Sequence, residues 1–250
     1  ITLSGAITEY QVPSANAKLY QIAAGPDCNL WFTEPNVNKI GRITTSGAIT
    51  EFTIPTANTR PGAIAAGPDG NVWFTDDGGT SKVGYITSSG SVTEYAHSAG
   101  DTSGVVLGPN GALWVTAMWS KQVLEITTSG VVTSFAVPSG TPLGITSGPD
   151  GNLWYADYYG DAIGRLTPYG SVQLYAIPTT GSYPARIAIG SDGNMWFTET
   201  VGGKLGRIST QGAITEFSPQ FGMRPSSIAL GPDGNLWITN GYGAIIRFVP

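Results

Sequence analysis

The chain has 250 residues, of which 41% are hydrophobic and 12% are charged, and its formal net charge is -5. This composition can build a packed core and excludes an intrinsically disordered chain. Phosphate recognition needs clustered Lys and Arg, so an acidic chain with only 12 basic residues argues against nucleic acid or an anionic membrane as partner. We therefore expect a small-molecule ligand, and we expect a monomer.

Cysteine content and the chain's opening residues bear on its compartment. Cys28 is the single cysteine, which excludes an intramolecular disulfide and a thiolate metal cluster. No run reaches the roughly 18 to 20 apolar residues of a membrane helix, and the first residues lack a basic then apolar leader. High Gly, Ser, Thr, Asn and Trp with few Lys favours an extracytoplasmic or secreted protein, with the cytoplasm as the alternative.

One segment returns six times along the chain. It first reads GPDCNLWFTEPNVNKIGRIT, and the successive copies are spaced by 42, 41, 40, 42 and 41 residues. The copies begin at Gly25, Gly67, Gly108, Gly148, Gly190 and Gly231. Six of the seven tryptophans occupy one position in this repeat, namely Trp31, Trp73, Trp114, Trp154, Trp196 and Trp237. A period near 40 residues with short β-like runs indicates a solenoid or propeller blades.

Each repeat predicts four strands, as the second copy illustrates. A short inner run, residues 63–67, leads through a Pro-Asp-Gly turn into the Trp run NVWFT. A loop then precedes KVGYIT, and a Ser-Gly turn leads to the outer run SVTEY. These runs are rich in β-branched and aromatic residues, and Gly, Asp, Asn and Pro mark the turns. No segment has sustained helical periodicity, so helices should be nearly absent.

The chain ends favour a closed ring. The last repeat stops after its third strand, and the chain opens on GAITEY, which resembles the missing fourth. Pairing the two would leave no exposed sheet edge. We therefore predict an all-β fold, with residues 1–250 forming a single six-bladed β-propeller of four-stranded antiparallel blades, closed by its N-terminal strand. Because the chain starts and stops in register with the repeat, a trimmed or engineered ring is a further interpretation.

Two kinds of variable loop should share one face of such a propeller, where binding residues are usually found. The third position after the repeat tryptophan carries a carboxylate in four copies, Glu34, Asp76, Asp157 and Glu199. Carboxylates around one channel mouth could bind a hard cation such as Mg²⁺ or Ca²⁺. The simpler alternative is that they cap loops or form ion pairs with Arg60, Arg186 and Arg224.

The same loops are rich in aromatic residues. They hold Tyr20, Trp119, Tyr158, Tyr159, Tyr183, Phe221 and Tyr242. Aromatic faces beside polar groups suit a sugar ring or a cyclic, partly apolar ligand. Our candidate ligand contacts are the three loop arginines and five of these aromatic residues, Tyr20, Trp119, Tyr158, Tyr159 and Tyr242. Packing of these rings on neighbouring blades is the alternative. Trp119 is the most suggestive, being the one tryptophan outside the repeat position.

The repeat, written GPDGNLWFTE...KIGRIT..G.ITEF.IP, closely resembles the streptogramin B lyase (virginiamycin B lyase) family over the entire chain. The resemblance implies a propeller usually described as seven-bladed that linearises a cyclic depsipeptide antibiotic by elimination across its ester bond, with Mg²⁺. It also implies a histidine base just before a Gly-Ile at the start of an inner strand, and glutamates that hold the metal. Glu34 and Glu199 match the positions of these metal-holding glutamates best.

The histidine base does not carry over to this chain. The six positions where it would stand are occupied by Tyr20, Gly62, Ser103, Leu143, Ala185 and Ser226. His97, the only histidine, follows an outer strand, too far out to reach a substrate proton. Tyr20 is a weak candidate base, because an ordinary phenol has a pKa of about 10.

Three functions follow from these observations. The first is a ligand-binding propeller that lacks the lyase activity because the histidine is missing. The second is a metal-dependent C–O lyase or a metal-assisted hydrolase that acts on a cyclic depsipeptide or a lactone. The third is a structural or protein-interaction propeller with a channel filled by side chains.

Overall fold

The computed structural model describes residues 5–138, 140–218 and 224–250. Over these residues the chain forms 23 β-strands in six antiparallel sheets and no helix. No helix that could cross a membrane is therefore present in these ranges. The predicted fold class is confirmed as an all-β, six-bladed β-propeller. Phe221, one of the aromatic residues of the variable loops, lies outside the described residues.

The chain divides into two compact units, residues 1–102 and 103–250, which we call unit 1 and unit 2. The prediction of a single domain stays a prediction. Unit 1 contains the first two sheets. The strands of the first are β1 (Ile22–Ala24), β2 (Leu30–Glu34), β3 (Lys39–Ile43) and β4 (Ile49–Thr53). Those of the second are β5 (Pro61–Ala66), β6 (Val72–Asp76), β7 (Lys82–Ile86) and β8 (Val92–Ala96).

Unit 2 contains the other four sheets. The first strand of the third sheet begins at Thr102, which is the last residue of unit 1. The third sheet has β9 (Thr102–Leu107), β10 (Leu113–Ala117), β11 (Gln122–Ile126) and β12 (Val132–Ala136). The fourth has β13 (Pro142–Ser147), β14 (Leu153–Asp157), β15 (Ala162–Leu166) and β16 (Val172–Ala176). The fifth has β17 (Pro184–Ile189), β18 (Met195–Glu199), β19 (Lys204–Ile208) and β20 (Ile214–Phe217). The sixth has β21 (Pro225–Leu230), β22 (Leu236–Asn240) and β23 (Ala244–Phe248).

The turn before each Trp strand is tied to the tryptophan itself. In the fourth sheet, Asp150 Oδ1 accepts hydrogen bonds from Trp154 Nε1 at 3.0 Å and from the backbone N of Asn152 at 3.3 Å. The next turn residue needs a left-handed backbone, with φ of 73° at Gly151. Cys28 occupies the equivalent place at φ 61° and is exposed, so it takes the glycine's place in the turn at some steric cost.

The core lies between neighbouring sheets, as the fourth and fifth show within unit 2. Trp154 and Ile163 of the fourth sheet pack with Ile187, Met195 and Phe197 of the fifth. Trp154 is fully buried and stacks on Tyr175, with ring centroids 5.7 Å apart. The repeat positions therefore build an interface that recurs from blade to blade.

The N-terminal segment has the packing of an outer strand without the strand itself. Residues 5–10 form no strand, yet the Tyr10 ring lies over Gly47, whose added Cβ would come 2.0 Å from Tyr10 Cε1. Phe52 of β4 covers Gly90 of the next sheet in the same way. Over the described residues the sixth sheet has three strands. Ring closure by the N-terminal strand stays a prediction.

Candidate functional site

The carboxylates of Asp76 and Asp157 hold the loop before the inner strand of their own sheet. Asp76 Oδ1 accepts from the backbone N of Arg60 at 3.2 Å, and Asp157 Oδ1 accepts from Thr141 N at 2.6 Å. Arg60 is also held through its carbonyl, because Asp77 N donates to Arg60 O at 2.8 Å. These two side chains are therefore loop caps, which is the simpler of the two roles considered for them.

Asp76 is also engaged by its own loop. Its Oδ1 accepts from Gly78 N at 2.7 Å, and its Oδ2 accepts from Thr80 N at 2.7 Å and from the Thr80 hydroxyl. The oxygens of Asp76 therefore accept donors from the protein itself, which leaves fewer of their lone pairs for a cation.

Glu34 and Glu199 occupy the same repeat position but behave differently. Both side chains are fully buried, and their four carboxyl oxygens have no donor from the backbone or from a cationic side chain, although the Glu199 carboxyl interacts with that of Glu216. Each lies opposite a lysine in the neighbouring strand, Glu34 opposite Lys39 and Glu199 opposite Lys204. Glutamate is one methylene longer than aspartate, and these two glutamates lack the loop-capping hydrogen bonds that the two aspartates make.

Each lysine bonds a different glutamate. Lys39 Nζ donates to Glu51 Oε2 at 2.8 Å, and Ser14 Oγ donates to the same oxygen at 2.6 Å. In the fifth sheet Lys204 Nζ lies 3.4 Å from Glu216 Oε2, and Thr179 N donates to Glu216 Oε1 at 3.2 Å. Both buried glutamates are thus next to a satisfied ion pair that does not include them.

This environment raises the pKa of both unpaired carboxyls. Burial raises the pKa of Glu34 to about 7, the charge of Glu51 adds to the shift and Lys39 opposes it. Burial likewise raises the pKa of Glu199 to about 8, with a further contribution from the neighbouring Glu216 carboxylate and opposition from Lys204. Both side chains are therefore neutral at mildly acidic pH.

The four predicted metal ligands do not fit a divalent cation as they are placed. The oxygens of Asp76 and Asp157 accept backbone N–H groups, and Glu34 and Glu199 are enclosed beside lysines. In the ranges that the structure describes, no group of three or more His, Cys, Asp or Glu side chains could hold a metal ion. The Mg²⁺ or Ca²⁺ site stays a prediction, and no chemistry is derived from it.

His97 and Tyr20, the two candidate bases, have unlike surroundings. His97 is half-buried after β8, where its Nδ1 accepts from Ala99 N at 3.3 Å. Burial lowers the pKa of its imidazole, and interactions with the Lys82 backbone and Asp76 oppose that shift. Tyr20 is 54% exposed and lines an apolar cavity of about 270 Å³ in unit 1.

Four of the predicted aromatic residues come together in unit 2. The Tyr158 ring makes edge contacts with Tyr159 at 4.9 Å and with Tyr183 at 5.2 Å between centroids. Trp119 lies 6.5 Å from Tyr159, and these two rings are 64% and 57% exposed. We call Trp119, Tyr158, Tyr159 and Tyr183 the aromatic loop surface.

Asp161 positions this surface, and sequence reasoning missed it. Its carboxylate accepts from Gly181 N at 2.6 Å, Ser182 Oγ at 3.2 Å and Tyr183 N at 3.2 Å. These contacts hold Tyr183 at the unusual φ of 49°. Asp161 itself has φ 46°, and an Asp before a strand in a loop that needs a left-handed residue is the signal that could have found it.

The other predicted ligand contacts are distributed over several places. Arg60 lines a polar pocket in unit 1. Arg224 and Tyr242 line a pocket of about 200 Å³ in unit 2 with Thr200 and Val201. Arg186 is partly buried, and its backbone N donates to Thr198 Oγ1 at 3.0 Å.

Comparison with known proteins finds close similarity along the whole chain. The sequence matches the profile described as the Virginiamycin B lyase family over residues 1–141 and 96–249. A selenomethionine-substituted virginiamycin B lyase from Staphylococcus aureus is 36% identical with a TM-score of 0.94, covering 99% of this chain and 85% of the other. A catalytically inactive histidine-to-alanine form of that enzyme with quinupristin is 37% identical with a TM-score of 0.93, covering 98% and 85%.

A streptogramin B lyase structure is also similar. It is 34% identical with a TM-score of 0.90, and the match covers 95% of this chain and 81% of the other.

Proposed function

Because the chain belongs to the virginiamycin B lyase family, we propose that it binds a small cyclic or sugar-like ligand on the aromatic loop surface. We further propose that it does so without the family's lyase activity. The observation that carries the first part is the exposure of Trp119 and Tyr159 beside two further rings on loops held by Asp161.

The physical case for binding rests on rigidity and exposure together. Exposed tryptophan and tyrosine rings provide flat apolar faces with polar edges, which suit sugar rings and cyclic, partly apolar ligands. The edge contacts of Tyr158 with Tyr159 and Tyr183 restrict the rings before a ligand arrives. Less conformational entropy is then lost on binding, which favours affinity.

The case against lyase activity rests on the base. Elimination needs a group within hydrogen-bond reach of the substrate proton. Glu34 and Glu199 are fully buried, and the only histidine, His97, is half-buried after β8. In the Staphylococcus aureus enzyme, a histidine-to-alanine form is described as catalytically inactive.

Ligand binding is tested with paired variants. The panel consists of monosaccharides and the cyclic depsipeptide quinupristin. We expect Trp119→Ala to raise the Kd for the panel member that binds at least about tenfold, since it removes the most exposed ring of the surface. Tyr169→Ala is the matched control, because Tyr169 is a 95% exposed aromatic residue outside this surface. Isothermal titration calorimetry measures both. Equal affinity of the two variants, or no binding by any panel member, would contradict the proposal.

The second candidate is a metal-dependent lyase or hydrolase, favoured by the 34–37% identity to lyases and by Glu34 and Glu199, which the family resemblance matches to metal-holding glutamates. We expect no loss of intact quinupristin over a day, with or without Mg²⁺, because His97 is half-buried after β8 and the exposed Tyr20 carries a phenol, which is a poor proton acceptor. Chromatography of the reaction mixture measures this. Ring opening that depends on the protein would favour the lyase and overturn the proposed inactivity.

A further inference from the structure

A polar pocket in unit 1 lies between the loop after β2 and the loop before β5. It has a volume of about 280 Å³. Its lining residues are Pro35, Asn36, Asn38, Asn58, Thr59 and Arg60. We call it the amide pocket. Ligand sites for drug-sized molecules usually measure about 300–1,000 Å³, so this pocket suits a molecule of monosaccharide size.

Asn38 holds one wall of the amide pocket in place. It adopts a left-handed backbone with φ 58°, and its Nδ2 donates to Ile54 O at 3.1 Å and to Thr56 O at 2.8 Å. Thr59 is buried and its hydroxyl donates to Thr56 O at 3.2 Å. These contacts order the loop that carries Asn58, so the pocket is formed before a ligand binds.

Among the described residues that line the pocket, Arg60 alone carries a charge. Its backbone is held at both ends, by Asp76 Oδ1 at 3.2 Å and by Asp77 N at 2.8 Å, while the residue as a whole is exposed. Across the described ranges, no ion pair engages its guanidinium. A guanidinium matches the two oxygens of a carboxylate with two parallel hydrogen bonds.

The exposed amides complete the chemistry. Asn36 and Asn58 are exposed at the pocket, and each amide can both donate to and accept from a hydroxyl group. One positive charge matches a monoanion, while the net charge of -5 disfavours a multiply charged one. The pocket therefore combines a carboxylate partner with several hydroxyl partners.

We propose that the amide pocket binds a small hydroxylated carboxylate of the sugar-acid class. Arg60 receives the carboxylate, and Asn36 and Asn58 bond the hydroxyl groups. This site differs in residues and in ligand charge from the aromatic loop surface, so it stands independently of the function proposed above.

The chain contains a matched control for Arg60. Arg224 stands at the equivalent loop position, where its N donates to Asn240 Oδ1 at 2.9 Å and its O accepts from Gly241 N at 2.9 Å. Its pocket is lined by Thr200, Val201 and Tyr242 instead of asparagines. Arg224→Ala therefore removes an exposed loop arginine with the same backbone contacts and leaves the amide pocket unchanged.

The test is calorimetric titration of the full chain with D-glucuronate as probe, at concentrations up to about 10 mM, ten times a Kd of about 1 mM. We expect binding to wild type and to Arg224→Ala, and an affinity at least about tenfold lower for Arg60→Ala. Methyl glucoside, which lacks the carboxylate, and acetate, which lacks the hydroxyl groups, should each bind at least about tenfold more weakly.

Several results would overturn the proposal. These are no glucuronate binding by wild type, unchanged affinity of Arg60→Ala, an equal loss in Arg224→Ala, or acetate binding as tightly as glucuronate. If Arg60→Ala does not fold, Arg60→Lys decides, because it keeps the charge and loses the two-pronged geometry. Its affinity should be lower than that of wild type, and an unchanged affinity counts against the assignment.

Discussion

Replacing Trp154 by alanine is expected to lower the free energy of unfolding by about 3–5 kcal/mol, the usual cost of deleting a buried large aromatic side chain. Trp154 is fully buried among Ile163, Ile187 and Phe197 and stacks on Tyr175. Its truncation leaves a cavity between two sheets. Chemical denaturation followed by circular dichroism measures the loss.

The same substitution also frees a turn carboxylate, because Trp154 Nε1 donates to Asp150 at 3.0 Å. Trp119→Ala is the control, since Trp119 is 64% exposed and lies outside the repeat interface. We expect it to change stability by no more than about 0.5 kcal/mol. Similar losses for the two variants would show that the repeat tryptophans do not carry the inter-sheet core.

Glu199→Gln is expected to make the stability of the protein less sensitive to a rise in pH from about 4.5 to about 8. The ordinary glutamate pKa of 4.5 is raised to about 8 in the folded state by burial and by Glu216. Between these values the unfolded chain has released the proton and the folded chain retains it. Wild type therefore loses stability as pH rises from about 4.5 to about 8.

The size of this effect follows from about 1.4 kcal/mol per pKa unit, which gives about 3–5 kcal/mol between the ends of the window. The variant cannot ionise and should lack this pH dependence. Glu34→Gln should show the same change over a narrower window, since the pKa of Glu34 is raised to about 7. The quantity to compare is the difference in unfolding free energy between pH about 4 and pH about 8.5. A protonated Glu and a Gln are both neutral polar groups with the same cost of burial, so this cost cancels in the difference.

Glu51→Gln provides the contrast within the first sheet. Burial opposes its ionisation, but hydrogen bonds from Lys39 and Ser14 outweigh burial and lower the pKa of Glu51. Its stabilising contribution is therefore present above the ordinary pKa and is lost as pH falls. We expect Glu51→Gln to be destabilising at pH about 8. A pH profile of Glu199→Gln that is parallel to wild type would contradict the assignment of a buried, neutral Glu199.

Repeat periodicity alone determined the strands and the turns. The second repeat, around Gly67, predicts an inner run, a Trp run and two further strands, and the structure forms β5 to β8 at those places. Cys28 stands where the other five repeats have glycine, which marks it as a turn residue. These features are local, since each depends on backbone preferences within a few residues.

The aromatic residues were found by sequence, but their grouping was not. Trp119 stood out as the tryptophan outside the repeat, whereas its nearness to Tyr159 and Tyr183 depends on loops from three sheets. Asp161 and the asparagines of the amide pocket were missed, because their roles come from loop conformations and not from a repeated pattern.

The sequence by itself determined that four carboxylates share one repeat position, but only the tertiary structure decided what each one does. Asp76 and Asp157 reach the backbone of the preceding loop, whereas Glu34 and Glu199 are enclosed without a backbone donor beside lysines that bond other glutamates. The physical reason is distance. One methylene decides whether a buried oxygen meets a donor, and donors contributed by other parts of the chain have no signature in the repeat.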